Sequence, residues 1–284
     1  MTRRSRPPAR AGPRPRRRLA QHFLSDPRIL ARIAEALGPT PCDTVVEIGA
    51  GTGGLTAALA ERAGRLIAIE KDPALVPEVR ARVPTATVIE ADALELDWAA
   101  LAGAASETGG PVEHYLVTGN IPYNVTSPLL EKALEPPRPA RIVFLVQREV
   151  AERVAAGPGT REYGALSVGV QAVAAVEVPF RVAAGAFSPR PKVESAVLRL
   201  TPLRSPLVGD AERAAFRRLV VGLFGFRRKQ LNRAVRELTG WEPARASGAL
   251  AAAGLDERAR PETLAPAEFV RLLGALVDAG WRGA

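Results

Sequence analysis

A chain of 284 residues, 47% hydrophobic and 24% charged, is long enough for about two domains and can bury a core without metal or disulfide staples. One cysteine, Cys42, excludes an intramolecular disulfide and a multi-cysteine zinc site, and His22 and His114 as the only histidines are too few for an HExxH metal site. The net charge of +9 divides into +8 over residues 1–18, −4 over 19–203 and +5 over 204–284, and two basic ends around a mildly acidic body suit a polyanionic partner such as nucleic acid.

Residues 1–18 are low in complexity (RRSRPPARAGPRPRRR follows Met-Thr), and their composition predicts a disordered basic tail. They lack the apolar stretch of a secretory signal, and the chain has no apolar run of about 18 residues, which together predict a cytoplasmic protein without a membrane span. From Asp26, the positions Ile29, Leu30, Ile33, Ala34 and Leu37 repeat at helical spacing until Gly38-Pro39. Strands at Thr44–Ile48, Arg65–Glu70, Thr87–Glu90, Tyr115–Thr118 and Ile142–Gln147 then alternate with helices at Leu55–Arg62, Pro73–Val83 and Pro128–Leu134. Such alternation predicts an α/β fold with a parallel sheet covered on both faces. Val176–Val182 and Val193–Leu200 read as strands of an antiparallel edge pair, and Thr201–Asp210 reads as a linker. The remainder reads as four helices, 211–224, 227–238, 245–253 and 266–279. The expected division is therefore a tail to residue 18, an α/β domain over 19–204 and a helical domain over 205–284.

Glu47-Ile-Gly-Ala-Gly-Thr-Gly-Gly54 joins a predicted strand to a predicted helix, and Gly49, Gly51 and Gly54 satisfy G-x-G-x-x-G. Glu70 stands 21 residues after Gly49, at the spacing of a carboxylate that grips ribose hydroxyls. The pattern fits NAD, FAD or S-adenosylmethionine. Glu47 stands where a dinucleotide site usually has an apolar residue, and Asp92, read as the end of the third strand, is placed to accept from an adenine amine. Several carboxylates around one ligand favour a sulfonium cation over a diphosphate.

The fourth strand runs into Asn120-Ile-Pro-Tyr-Asn124. An amine conjugated with a ring is a poor nucleophile. Pro122, without an N–H and with a fixed φ, lets the turn aim carbonyl oxygens at the two amine hydrogens, Asn120 supplies one of them, and Tyr123 offers a stacking face. The gain in rate comes from alignment. A paired adenine cannot reach such a pocket and must be flipped or unpaired. Phe187, in Phe187-Ser-Pro-Arg-Pro-Lys-Val193, is the candidate for the opposite face, with Arg190 and Lys192 beside it for phosphates.

These residues, with Gln21-His-Phe-Leu24, Gln147–Arg153, Tyr163-Gly-Ala-Leu-Ser167, Arg227-Arg-Lys-Gln-Leu231 and Arg260-Pro-Glu-Thr-Leu264, resemble the KsgA family of rRNA adenine N6-dimethyltransferases. The resemblance implies a Rossmann-like class I methyltransferase domain followed by a helical RNA-binding domain. It further implies dimethylation of two adjacent adenines near the 3′ end of 16S rRNA, in a pre-30S particle, by a monomer using S-adenosyl-L-methionine. The cofactor would meet His22, Leu24, Gly49, Glu70, Asp92 and Asn120, and the adenine Asn120, Pro122, Tyr123 and Phe187. His22 departs from the Asn usual in the family. The macrolide-resistance branch, which dimethylates 23S rRNA, shares several blocks, and Ile121 and the Arg-rich tail lean towards it. The Tyr163–Ser167, Arg227–Leu231 and Arg260–Leu264 blocks lean towards the small-subunit branch. A non-catalytic assembly factor would have eroded the Asn-x-Pro-Tyr or acidic positions, and a nicotinamide dehydrogenase needs a catalytic acid or base that the sequence does not offer.

Overall fold

The computed structural model describes residues 22–104 and 114–283; the tail expected over residues 1–18 lies outside them. The first helix, α1 (Pro27–Leu37), begins where the Asp26 side chain accepts from the Arg28 amide and ends at Gly38, whose left-handed φ of 63° stops it. Its apolar stripe, Leu30, Ile33, Ala34 and Leu37, is buried.

Strands β2 (Thr44–Ile48), β3 (Arg65–Glu70), β4 (Thr87–Glu90), β5 (Tyr115–Asn120) and β6 (Arg141–Gln147) pair in parallel, and β7 (Ala174–Val182) and β9 (Ser195–Pro202) complete a seven-stranded sheet. A separate two-residue pair, β1 (Phe23–Leu24) with β8 (Phe187–Ser188), lies outside that sheet. The order β4-β3-β2-β5-β6-β9-β7 reverses direction between β2 and β5. At such a switch point the crossover helices diverge and leave a crevice beyond the strands' carboxyl ends. The glycine turn and Asn120 both leave the sheet there.

The pair β7 and β9 is antiparallel as expected, but only β7 is an edge, because β9 lies between β6 and β7. Burial explains the difference: β9 is mostly buried, whereas β7 alternates, carries Pro179 and shifts register between Glu177 and Phe180.

Helices α2 (Gly54–Ala60), α3 (Val76–Arg82) and α5 (Thr126–Ala133) fall close to their expected positions. Not anticipated from sequence were α4 (Trp98–Ala104) and α6 (Arg148–Ala155), the latter following β6 without a linker. Helix α6 buries only Ala151 and Val154, too few apolar positions to mark a period. A further helix, α7 (Ala165–Gln171), precedes β7.

Four helices follow: α8 (Arg213–Gly225), α9 (Leu231–Thr239), α10 (Pro243–Ala252) and α11 (Pro266–Asp278). One apolar cluster runs from Val46 and Phe144 in the sheet through Tyr163 and Val168 to Phe216, Phe269 and Leu276, so these helices share a core with the sheet. Fully buried Tyr163 donates to the Leu264 carbonyl at 2.8 Å, and its ring meets the edge of Phe224, which stacks on Phe269. Around this seam Arg227 donates to Glu262 at 2.7 Å, and the Gly159 amide donates to the Glu262 carbonyl at 2.8 Å.

Candidate active site

A cavity of about 350 Å³ opens at the switch point. The glycine turn forms one wall. Gly49 and Gly51 take φ of 74° and 59°, a region costly for any residue with a Cβ. The amides of Gly49 and Ala50 both donate to the Ile69 carbonyl, and that of Gly51 donates to Glu70 Oε2 at 2.7 Å. Three successive N–H groups are thus spent on β3 and its end. A phosphate-binding turn would point them at its ligand, so this turn is shaped for contact with an uncharged or cationic group.

The acidic side chains fit that reading. Glu70 ends β3 nearly buried, with Oε1 accepting from the Asp72 amide and Oε2 from Gly51, both at 2.7 Å. Burial raises its pKa, opposed by these amide hydrogen bonds. Each oxygen keeps a further acceptor site for a ligand hydroxyl. Asp92 lies two residues beyond the end of β4, where it starts a 3₁₀ turn by accepting from the Leu94 amide at 3.0 Å. Its Oδ2 accepts from the exposed Lys71 ammonium, and that bond holds the carboxyl below its usual pKa. The sequence placed Asp92 at the strand end and missed Lys71, whose pairing depends on two strand ends meeting.

Glu47 is the anomaly. It is 1% exposed on β2, lines the cavity, and its Oε2 has no hydrogen-bond partner. Burial pushes its pKa up to about 8; the nearby Thr56 hydroxyl pulls it down in part, although Thr56 Oγ1 completes no hydrogen bond, and the Glu70 charge pushes it up further. An orphaned buried carboxyl facing a cavity is the kind of group a cationic ligand satisfies.

Asn120 ends β5 on the opposite wall. Its neighbour Gly119 makes the position possible, because a Cβ there would stand 2.2 Å from the Ile48 carbonyl oxygen. Asn120 Nδ2 donates to the His22 carbonyl at 2.8 Å, which leaves Oδ1 as the side-chain atom free to accept. Pro122 and Tyr123 also line the cavity, and Tyr123 is anchored through its hydroxyl, 2.9 Å from Oγ of fully buried Ser195. Ser195 carried no signal in the sequence, since its role arises only when β9 lies beside β6.

Of the residues singled out from sequence, His22, Leu24, Gly49, Glu70, Asp92, Asn120, Pro122 and Tyr123 all line this one cavity. Phe187 does not. It pairs with Leu24 across β1 and β8, packs with Val182 and Val197 in the apolar cluster behind that pair, and is 5% exposed. The expected second stacking face is therefore not formed by Phe187 in this structure.

The ribosomal RNA adenine dimethylase family matches residues 13–276. The chain is 45% identical over 260 residues to the ribosomal RNA small subunit methyltransferase A of Anaeromyxobacter dehalogenans, covering 90% of this chain and 91% of that protein. It is 40% identical to the protein of the same name from Geobacter metallireducens, covering 95% and 98%. Among solved structures, a dimethyladenosine transferase from Plasmodium falciparum aligns with a TM-score of 0.75 at 25% identity, covering 91% of this chain and 98% of that one. The 23S rRNA methyltransferase ErmE aligns with a TM-score of 0.67 at 29% identity, covering 90% and 99%. The motifs in order, the α/β sheet with its switch-point cavity and these likenesses agree, and the chain belongs to the ribosomal RNA adenine dimethylase family.

Proposed function

We propose that the protein transfers methyl groups from S-adenosyl-L-methionine to N6 of two adjacent adenines near the 3′ end of 16S rRNA, in small-subunit maturation. The observation that carries this reading is the division of the cavity into an acidic wall with its turn amides already spent and an Asn120–Tyr123 wall with one carbonyl oxygen left free. The cofactor, when bound, supplies an electrophilic methyl group on a sulfonium. Glu70 would hold ribose hydroxyls and Asp92 an adenine amine, while Gly49, Leu24 and His22 close around them and Glu47 balances positive charge.

On the target side, Tyr123 offers its face to the base, and the free Oδ1 of Asn120 accepts a hydrogen bond from the amine. With Nδ2 held by the His22 carbonyl, the amide cannot rotate to present a donor instead. The acceptor favours a pyramidal nitrogen whose lone pair leaves the ring, and the alignment requires no shifted pKa. The same site serves both transfers, because the singly methylated amine still has one hydrogen to donate.

Residues 19–204 would act as the methyltransferase unit and 205–284 as the RNA-binding unit, in a monomer that works in the cytoplasm on a pre-30S particle. No helix among the described residues is long and apolar enough to cross a membrane. The names of the small-subunit relatives at 40–45% identity favour 16S over 23S rRNA as target.

Incubating the protein and the cofactor with small- and large-subunit particles lacking the modification, followed by primer extension, tests the reading. Stops at two neighbouring adenines of 16S rRNA are expected. A stop in 23S rRNA alone would establish the resistance-type activity instead.

A further inference from the structure

His22 makes three contacts that lie on the target side of the cavity. Its Nδ1 is 2.8 Å from the Pro189 carbonyl oxygen. Its ring stacks on Tyr123, with centroids 5.7 Å apart and planes inclined by 29°. Its own carbonyl accepts from Asn120 Nδ2 at 2.8 Å. The half-buried residue thus joins three segments distant in sequence: the approach to β1, the Asn120–Tyr123 turn, and the loop after β8. Tyr123 is held at its other end by Ser195.

From these contacts we infer that His22 is a positioning residue for the target base: its imidazole ties the Tyr123 stacking face to the Pro189 loop and keeps that face in register with Asn120 Oδ1. The inference rests on the target-side reading above and assigns the ring a role there in addition to the residue's place beside the cofactor. A carbonyl oxygen only accepts, so the bond to Pro189 requires the hydrogen on Nδ1. Asparagine carries an amide nitrogen the same number of bonds from Cβ as Nδ1, so it can make the Pro189 bond without the stack. Phenylalanine can stack without the bond.

Three measurements test this. Heteronuclear NMR of imidazole-labelled protein, with the His22 signal identified by its loss in H22N and so separated from His114, should show the Nδ1–H tautomer. The Nε2–H tautomer would overturn the tie to Pro189. In H22A, measured at saturating S-adenosylmethionine, KM for the RNA substrate should rise about tenfold, the scale of one lost hydrogen bond. An unchanged RNA KM would overturn the assignment. Neither H22N, which keeps the bond without the stack, nor H22F, which keeps the stack without the bond, should restore the parent KM; full restoration by either would overturn the tie, because one arm alone would then suffice. The tautomer is read without turnover, so inactivity of the wild-type protein on rRNA would sink the proposed function and leave the tautomer to decide whether the tie to Pro189 exists.

Discussion

The cavity and the seam between the sheet and the C-terminal helices are built on opposite plans. In the seam, each polar group that enters has a partner: Tyr163 with Leu264, Arg227 with Glu262, the Gly159 amide with the Glu262 carbonyl. Aromatic rings fill the space between. In the cavity, Glu47 Oε2 is buried without a partner, Glu70 sets a second buried carboxyl in the same acidic wall, and Asn120 Oδ1 is left over. A satisfied seam lowers the free energy of the fold, whereas an unsatisfied cavity raises it and returns that energy on ligand binding. Substitutions in the two regions should therefore separate stability from binding and chemistry.

The largest effect belongs to the seam. Tyr163→Ala removes a fully buried ring and its bond to Leu264, and should cost about 3–5 kcal/mol by denaturant unfolding. Its affinity for the cofactor at a temperature where it remains folded should match that of the parent. A large loss of affinity would show that the regions are coupled.

Asn120→Ala comes next. Methyl transfer at saturating cofactor should fall by about two orders of magnitude, the size expected when one aligned electrostatic group is deleted. Folding and RNA affinity should change little, because phosphate contacts dominate binding. Wild-type turnover in this variant would refute the proposed alignment of the amine.

Glu70→Ala should weaken cofactor binding by about 1–3 kcal/mol, the cost of removing hydrogen bonds to a charged group. Glu70→Gln, which keeps one acceptor for the Gly51 amide, should lose less; calorimetry on the pair separates ligand contact from support of the turn.

Glu47 gives the smallest and most diagnostic effect. Its carboxyl titrates near 8 in the fold against 4.5 ordinarily, so the folded state binds its proton more tightly than the unfolded state does. Its contribution to stability is therefore complete below about pH 4.5 and is lost as the pH rises through about 8. Glu47→Gln should flatten that decline and be more stable than the parent by about 1 kcal/mol or more at pH 8, since it removes a buried charge. Unfolding curves at pH 5 and pH 8 measure it; equal slopes for the two proteins would show that Glu47 is not protonated in the fold. Cofactor binding should release a proton from the wild type in this range, which calorimetry in buffers of different ionisation enthalpy detects.

What was legible in the sequence was whatever local pattern encodes. The parallel strands β2, β3 and β4 carry apolar runs between turn residues, and they fall on the expected residues. The glycine turn, Glu70 and the Asn120–Tyr123 segment were readable because a turn that needs left-handed φ and a strand that ends in Asn-x-Pro-Tyr leave residue types in fixed order. The four C-terminal helices were readable from their period, within a few residues at each end.

Other features are decided by contacts between distant segments, which leave no periodic or compositional trace. Two-residue strands such as β1 and β8 exist only as each other's partners, and that pairing turns Phe187 from the expected cavity wall into the core. The placement of β9 inside the sheet brings Ser195 to Tyr123, and the meeting of two strand ends gives Asp92 its Lys71. His22, an unusual residue in its motif, gains its meaning from Pro189, 167 positions away, and from a ring it meets only after the sheet has formed. The sequence by itself determined most of the elements, the turn chemistry and the family. The tertiary structure decided which polar atoms are spent on the protein and which are left for a ligand, because hydrogen-bond satisfaction is a property of packed neighbours and not of residue order.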